Sequence, residues 1–282
     1  MSLAASTGSL EALRIELRRL GRVVVAFSGG ADSSLLAKVA HDTLGRSSVL
    51  CATAISPSLA GSEEEECRAL AREWDLRWVG VPTSELEDPA YVANGADRCA
   101  RCKTALMDVL GPLARTEDAT VVLGVNVSDL GDHRPGQAAA AAAGARFPLV
   151  EAGFTKEDIR RWSRKLGLRT WDKPAAACLA SRLPYGTPVT LGRLSQVEIA
   201  EAALRALGFG QLRVRHHGDT ARVEVEPAAL FSMVERRNEV VAAVRGAGFT
   251  FVALDLEGFR TGSLNRALGV AIDSGETEGT RG

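Results

Sequence analysis

Residues 23–33 read VVVAFSGGADS, and this stretch carries the strongest structural signal in the sequence. Its first part is an apolar, largely β-branched run, which is typical of a strand covered on both faces. The two glycines that follow let the backbone turn tightly and approach a ligand without an intervening side chain. A helix is predicted from Asp32 to Leu44. A strand, a glycine-rich loop and a helix in this order favour an anion site, because the loop and helix amides point at the ligand.

The loop supplies a set of candidate phosphate ligands: Ser28, Gly29, Gly30 and Ser33. Asp32 could hold a magnesium ion or position the loop. The lysine of a G-x-x-x-x-G-K-[ST] loop is absent, so this is a different motif. A glycine-rich turn without any ligand is the alternative.

The segments that follow alternate between strand and helix patterns, after an opening helix at 10–20. Strands are predicted at 49–55, 76–81 and 120–125, and helices from 62 and at 103–114, 138–143 and 155–166. We therefore predict an α/β fold, a mainly parallel sheet with helices on both faces.

The order of predicted helices and strands changes near Pro188. From there the pattern predicts a helix at 194–207, strands at 212–216 and 221–226, a helix at 228–247 and a strand at 250–256. We assign residues 1–187 to the α/β domain, 188–272 to a smaller α+β domain, and 273–282 to a disordered tail.

Composition excludes some classes of function. The net charge of −1 gives no general attraction to nucleic acid or anionic membranes, and no apolar run approaches a membrane span. The first residues lack the apolar core of a signal peptide, so we expect a cytoplasmic protein. Its five cysteines then point to metal or reactive-thiol chemistry rather than to disulfides.

The motif S-G-G-x-D-S after a strand resembles the N-type ATP pyrophosphatases, the PP-loop proteins with the adenine nucleotide alpha hydrolase-like fold. The resemblance implies Mg²⁺-dependent cleavage of ATP between its α- and β-phosphates, which adenylylates a substrate. It also implies that Ala52, Thr53 and Gly124 border the nucleotide. These residues follow or end predicted strands, where open α/β sheets bind ligands.

Three further segments narrow the resemblance: DRCARCK at 97–103, GVNVSD at 124–129 with DHRPG at 132–136, and KP at 173–174 with CLASRLPYG at 178–186. With the loop, they resemble the LarE family of sulfur transferases. That family adenylylates the carboxyl groups of pyridinium-3,5-biscarboxylic acid mononucleotide and converts them into thiocarboxylates, as part of nickel-pincer nucleotide synthesis.

The resemblance implies two sources of sulfur. In one, Cys178 gives up its own sulfur and becomes dehydroalanine. In the other, Cys99, Cys102 and Cys178 hold a 4Fe–4S cluster with one iron open to carry a sulfide. A structural zinc or three unlinked thiols are the alternatives. Cys51 and Cys67 fall inside a strand and a helix, where cysteine acts as a small hydrophobe.

Arg213 and Arg215 alternate on one predicted strand and therefore share a face. They could bind a substrate phosphate or carboxylate, or form a solvated ion-pair face with Glu224. The resemblance favours binding and extends to further candidates: Ser181, Arg182, Arg134 and Lys103. The active site is then expected between the two domains.

Three other functions remain open. A tRNA thiolase of the same fold would need a basic surface, which the net charge does not favour. An amidotransferase would need glutamine or ammonia and leaves the cysteines unexplained. A non-catalytic iron–sulfur scaffold would not turn over ATP. We expect a small-molecule nucleotide as substrate, no nucleic-acid or membrane partner, and a homo-oligomer.

Overall fold

The computed structural model describes residues 8–130, 135–174 and 177–260. These residues divide into two units. The first extends up to Cys178 and includes Pro188–Thr190, and the second comprises Leu179–Thr187 and the chain from Leu191 onward. The predicted domain limits stay predictions, and the tail at 273–282 lies outside the described residues.

The first unit contains a four-stranded parallel sheet in the order β3-β2-β1-β4. Its strands are β1 Val23–Ala26, β2 Val49–Ile55, β3 Trp78–Pro82 and β4 Thr120–Leu123. Its helices are α1 Leu10–Leu20, α2 Ala31–Leu44, α3 Gly61–Glu73, α4 Pro89–Val92, α5 Arg98–Thr116, α6 Pro135–Ala142, α7 Pro148–Glu151 and α8 Lys156–Lys165. The predicted parallel α/β architecture is confirmed.

Alternate strand residues pack into two separate apolar layers, one on each face of the sheet. Val23 and Val25 belong to a layer that also contains buried residues of α1, α2, α3 and α8. Val24 and Leu50 belong to the other layer, together with buried residues of α5 and α6. Each fully buried side chain of this kind stabilises the fold by about 1.5–3 kcal/mol. Helices therefore cover both faces, which explains why every strand reads as a continuous apolar run.

Helix α5 begins five residues earlier than the pattern predicted, at Arg98 instead of Lys103. The reason is that Arg98 is buried and its guanidinium bonds to the side chain of Asn94, so the first turn is anchored by a polar contact. Cys99 and Cys102 consequently lie on the first turn of a helix. Among the described residues, no helix is long and apolar enough to cross a membrane.

All four strands are parallel, but the side of β1 on which new strands are added changes after β3. The chain passes from β1 to β2 and β3 on one side, and then returns to the other side of β1 to form β4. Ligands of open α/β sheets bind at such a point, outside the carboxyl ends of the strands. The segments after β1 and β4 are the glycine-rich loop and Gly124, so both lie where a ligand is expected.

The second unit has a three-stranded sheet in the order β5-β6-β7. Its elements are α9 Leu191–Ala206, β5 Leu212–His217, β6 Thr220–Val225, α10 Leu230–Glu235, α11 Arg237–Gly246 and β7 Phe251–Leu254. The predicted single helix at 228–247 is wrong, because the helix is interrupted at Arg236, whose ψ of 22° is not helical. The Arg236 guanidinium donates to the Leu207 carbonyl at 2.7 Å, a tertiary contact that a sequence pattern does not reveal.

Candidate functional site

The conformation of the glycine-rich loop is fixed by hydrogen bonds of its own serine side chains. Gly29 has a φ of 65°, which favours glycine, and a side chain there would meet the Cys67 sulfur at 3.1 Å. The Ser33 hydroxyl donates to the Gly30 carbonyl at 3.2 Å and lies 3.0 Å from the Ser28 hydroxyl. The loop leads directly into the first turn of α2, and the amides of a helix N-terminus favour an anion.

Gly124 touches this loop directly. A Cβ at Gly124 would lie 2.7 Å from the Ser33 amide nitrogen and 3.0 Å from the Asp32 carbonyl carbon. Such distances are too short for a real side chain, so only glycine lets the end of β4 approach the first turn of α2. Gly124, the position predicted to border the nucleotide, therefore packs directly against the start of α2 behind the glycine-rich loop.

Asp32 has a partner that the sequence did not suggest. The Lys156 ammonium donates to both Asp32 carboxylate oxygens, at 2.9 and 3.2 Å. Lys156 opens α8 after Thr155, whose hydroxyl caps the helix by accepting from the Asp158 amide. The Thr155-to-Asp158 spacing could have located this helix start, but not the direction of the lysine side chain.

A cavity of about 370 Å³ opens beside the loop. Such a volume lies in the usual range for small-molecule sites, about 300–1,000 Å³. The cavity lining contains all the predicted ATP-site residues except Gly29: Ser28, Gly30, Asp32, Ser33, Ala52, Thr53 and Gly124. It also contains two cysteines, three lysines and one further acid: Cys102, Cys178, Lys103, Lys156, Lys173 and Glu85. Loop and thiols therefore meet in one cavity.

Thr53 connects the sheet to the loop. Its hydroxyl donates to the Phe27 carbonyl at 2.7 Å and accepts from the Trp78 indole nitrogen at 2.8 Å. Since Phe27 precedes Ser28, this chain of bonds fixes the point where the loop leaves β1. Thr53 is 2% exposed. The structure therefore gives Thr53 a supporting position in addition to its place on the cavity wall.

Two of the three candidate ligand cysteines, Cys102 and Cys178, line the cavity, whereas Cys99 does not. Burial raises the pKa of the Cys102 thiol to about 11, and the nearby Cys178 thiol acts in the same direction, as does Cys99 to a smaller extent. Cys99 and Cys178 are exposed. Within the described ranges, however, no group of three or more His, Cys, Asp or Glu side chains stands ready to hold a metal ion.

A glycine also shapes the cysteine turn. A Cβ at Gly136 in α6 would lie 3.0 Å from the Cys99 carbonyl oxygen and 2.7 Å from the Lys103 side chain. Gly136 thus allows α6 to pack closely against the first turn of α5. Cys51 and Cys67 are fully buried, as predicted, and burial raises their pKa values to about 12 and about 11. Neither lines the cavity.

The predicted arginine pair lies in the second unit, and its members have different surroundings. The Arg215 guanidinium forms two bonds to the Glu224 carboxylate, at 2.9 and 3.0 Å, and donates to the Ser181 carbonyl at 2.8 Å. Glu224 is the ion-pair partner that the sequence offered, but the pair is buried rather than solvated. Arg213 lies over the Phe259 ring, and burial lowers its pKa to about 10.

Arg182 is also engaged inside the second unit. Its guanidinium donates to both oxygens of the buried Glu201 carboxylate, at 2.8 and 3.0 Å. Burial opposes ionisation of Glu201, but Arg182 and the Val214 amide outweigh burial and lower its pKa. Removing one partner of this buried pair would leave an uncompensated charge, and a substrate role for Arg182 or Ser181 stays a prediction. Arg134 lies outside the described residues.

Glu85 is the acid on the cavity wall that sequence reasoning missed. It belongs to the run Glu85-Leu86-Glu87-Asp88, which resembles a solvated charged segment. In the structure Glu85 is 4% exposed, whereas Glu87 is exposed. A sequence signal for this burial is absent, because tertiary packing alone distinguishes the two glutamates.

Comparison with known proteins gives the family. No protein-family model matches the chain. An uncharacterised protein of Synechocystis sp. is 44% identical over 267 residues, covering 92% of this chain and 97% of that protein. The pyridinium-3,5-bisthiocarboxylic acid mononucleotide synthase of Lactiplantibacillus plantarum is 39% identical over 253 residues, covering 89% of this chain and 92% of the synthase. An uncharacterised protein of Methanocaldococcus jannaschii is 24% identical, covering 85% and 91%. The chain therefore belongs to the LarE family, the family of this synthase.

Proposed function

We propose that the protein is an ATP-dependent sulfur transferase that converts the carboxyl groups of pyridinium-3,5-biscarboxylic acid mononucleotide into thiocarboxylates. Family membership supports this function, because the named relative is a synthase of the bisthiocarboxylic acid mononucleotide. The observation that carries the proposal is the single cavity lined by both the phosphate loop and the thiols of Cys102 and Cys178. Adenylylation needs the loop, and sulfur transfer needs a sulfur atom within reach of the same carboxyl.

The first step activates a poor leaving group. A substrate carboxylate oxygen attacks the α-phosphorus of ATP, the bond to the β-phosphate oxygen breaks, and pyrophosphate leaves. The loop amides and the hydroxyls of Ser28 and Ser33 bind the phosphates, and the cavity lysines offset their charge. Asp32 is a carboxylate of the kind that Mg²⁺ takes as a ligand. We assign Mg²⁺ to Asp32, which requires Lys156 to move from that carboxylate to the phosphates.

The second step transfers sulfur to the activated carbon. In the direct route, the Cys178 thiolate attacks the acyl carbon and AMP leaves, which forms a thioester. Removal of the Cys178 Cα proton then breaks the Cβ–Sγ bond. The products are a thiocarboxylate and dehydroalanine at position 178, so each chain delivers one sulfur. The exposure of Cys178 at the cavity supports this role.

The alternative route keeps Cys178 intact. Three cysteine thiolates are a suitable donor set for an iron–sulfur cluster, but Cys99, Cys102 and Cys178 do not form a metal-holding group as the structure describes them, so this route requires them to come closer together. Cys99, Cys102 and Cys178 would hold a 4Fe–4S cluster. Such a cluster would supply inorganic sulfide as the nucleophile. The chain's own residues would then bind ATP and orient the carboxyl toward the thiols.

The remaining assignments belong to the same proposal. We assign a substrate-binding role to Lys103, which lines the cavity, and to Arg213 and Arg215 in the second unit. We expect a homo-oligomer in the cytoplasm that acts on a small-molecule nucleotide rather than on nucleic acid.

The test is a turnover assay on protein purified without oxygen, with ATP and the pyridinium biscarboxylate nucleotide. We expect AMP and pyrophosphate to form only with the nucleotide present, together with thiocarboxylate product by mass spectrometry. Cys178→Ala should abolish thiocarboxylate but retain pyrophosphate release, whereas the buried control Cys51→Ala should retain both. Thiocarboxylate formation by Cys178→Ala would refute both sulfur routes. Iron and sulfide analysis of the same preparation separates the two routes.

A further inference from the structure

Glu85 is a buried acid on the wall of the cavity, and one of its carboxylate oxygens has no partner in the part of the chain that the structure describes. It begins the 3₁₀ turn Glu85–Glu87, shortly after β3. The residue is 4% exposed, and its Oε2 atom has no hydrogen-bond partner among the described residues. A buried carboxylate oxygen without a partner costs free energy, so such atoms usually find one. Since Glu85 lines the cavity, the occupant of the cavity is the available source of that partner.

The charges of the cavity leave Glu85 without a cation. Of the three lysines that line the cavity, Lys156 pairs with Asp32 and Lys173 pairs with Glu63, while Lys103 forms no salt bridge with Glu85. Among the described residues, none brings a positive charge within salt-bridge distance of Glu85. The missing partner should therefore be a cation rather than a neutral donor, because a charge removed from water is best compensated by an opposite charge.

Glu85 also lies at the sulfur end of the cavity. Burial raises the pKa of Tyr91, and Cys178, Cys102 and Glu85 all add to the rise, so these three groups lie within electrostatic range of the same phenol. The Tyr91 hydroxyl is bonded to the Ser58 hydroxyl at 2.6 Å. Any carboxyl that receives sulfur must approach Cys102 or Cys178, and the ring that carries this carboxyl must then lie close to Glu85.

We propose that the Glu85 carboxylate binds the positively charged pyridinium ring of the substrate and selects cationic rings over neutral ones. This inference rests on the proposed function, which brings a pyridinium dicarboxylate into the cavity. The ring bears a formal positive charge that ATP does not carry, so Glu85 distinguishes the two occupants. Attraction between opposite charges is stronger in a buried site than in water. Lys103 on the same wall complements the ring's carboxylates.

The experiment compares two probes that differ mainly in ring charge: N-methylpyridinium-3,5-dicarboxylate and pyridine-3,5-dicarboxylate. Calorimetry with the full chain, saturated with a non-hydrolysable ATP analogue, gives both dissociation constants without relying on turnover. We expect the wild type to prefer the cationic probe about tenfold, equivalent to about 1.4 kcal/mol. Glu85→Gln should reduce this preference to about twofold. The KM for the nucleotide substrate should rise about tenfold, with the KM for ATP unchanged.

Two variants serve as controls. Glu87→Gln removes the same charge from an exposed position two residues away and should keep the wild-type preference. Glu85→Asp keeps the charge and should retain most of the preference, which guards against misfolding of the glutamine variant. Equal binding of the two probes by the wild type overturns the inference whatever the variants do, as does a full preference in folded Glu85→Gln. A wild type that prefers the cationic probe but does not turn over the nucleotide refutes the proposed function instead.

Discussion

The close approach of Gly124 to the phosphate loop gives a sharp prediction for Gly124→Ala. The added methyl carbon would sit 2.7 Å from the Ser33 nitrogen and 2.9 Å from the Ser33 Cα, both backbone atoms. Neither can rotate away, so the first turn of α2 must shift. Overpacking of this kind costs about 1–3 kcal/mol. For a unit of this size, the melting temperature should fall by about 2–12 °C.

The same shift should weaken ATP binding more than it weakens the fold. Moving the Ser33 amide out of line removes one hydrogen bond to a charged phosphate, worth about 1.5–3 kcal/mol. The dissociation constant for ATP, measured by calorimetry, should rise about 10- to 150-fold. Gly192→Ala is the control, because a Cβ there meets no atom within 4 Å. A Gly124→Ala variant that binds ATP and melts like the wild type would refute the placement of β4 against the loop.

Two further predictions concern ion pairs. Lys156→Met should lower the free energy of unfolding by less than about 1 kcal/mol, because the pair with Asp32 is partly exposed. If Lys156 moves to the phosphates, the same variant should slow AMP formation at least about tenfold. A wild-type rate of AMP formation would contradict that movement. The pKa of Glu201 is lower in the folded state than in the unfolded chain, so ionised Glu201 contributes to the free energy of unfolding. This contribution is complete above the ordinary glutamate pKa of about 4.3 and is lost as the pH falls through the lower folded pKa. Acid titration of the second unit by circular dichroism should show this loss in the wild type but not in Glu201→Gln, and identical acid profiles would contradict it.

The fold of the first unit could be predicted because its signals are local and repeated. Every strand is an apolar run, and every long helix has its own periodic stripe, as in the leucines of α1. Helix ends were harder. The start of α5 at Arg98 depends on a buried guanidinium, and the break between α10 and α11 depends on a bond from Arg236 to Leu207. Such contacts join residues that are distant in sequence, so no local pattern contains them.

The candidate site was predictable where backbone chemistry determines it. Two adjacent glycines between a strand and a helix specify a tight loop that ends at a helix N-terminus, and a C-x-x-C spacing specifies two thiols close together near the start of a helix. Charged side chains were not predictable in this way. Glu85 and Glu87 are alike in sequence, yet one is buried on the cavity wall and the other is exposed. Arg215 could be assigned a partner, Glu224, but not the burial of that pair.

The topology explains why the glycine-rich loop and the cysteines meet at one edge of the sheet. In a parallel sheet with crossover helices, each helix that follows a strand begins near the carboxyl edge and runs back toward the other edge. The first turns of α2, α5 and α8 therefore stand at the same edge, and they carry Asp32, Cys102 and Lys156 respectively. The parallel arrangement of the strands alone is therefore enough to place the loop, the thiol and the cation at one edge, without any specific contact between them. Topology leaves open which side chains receive a ligand. Buried groups with unmet charge, of which Glu85 is the clearest on this wall, are the ones that a bound substrate would complete.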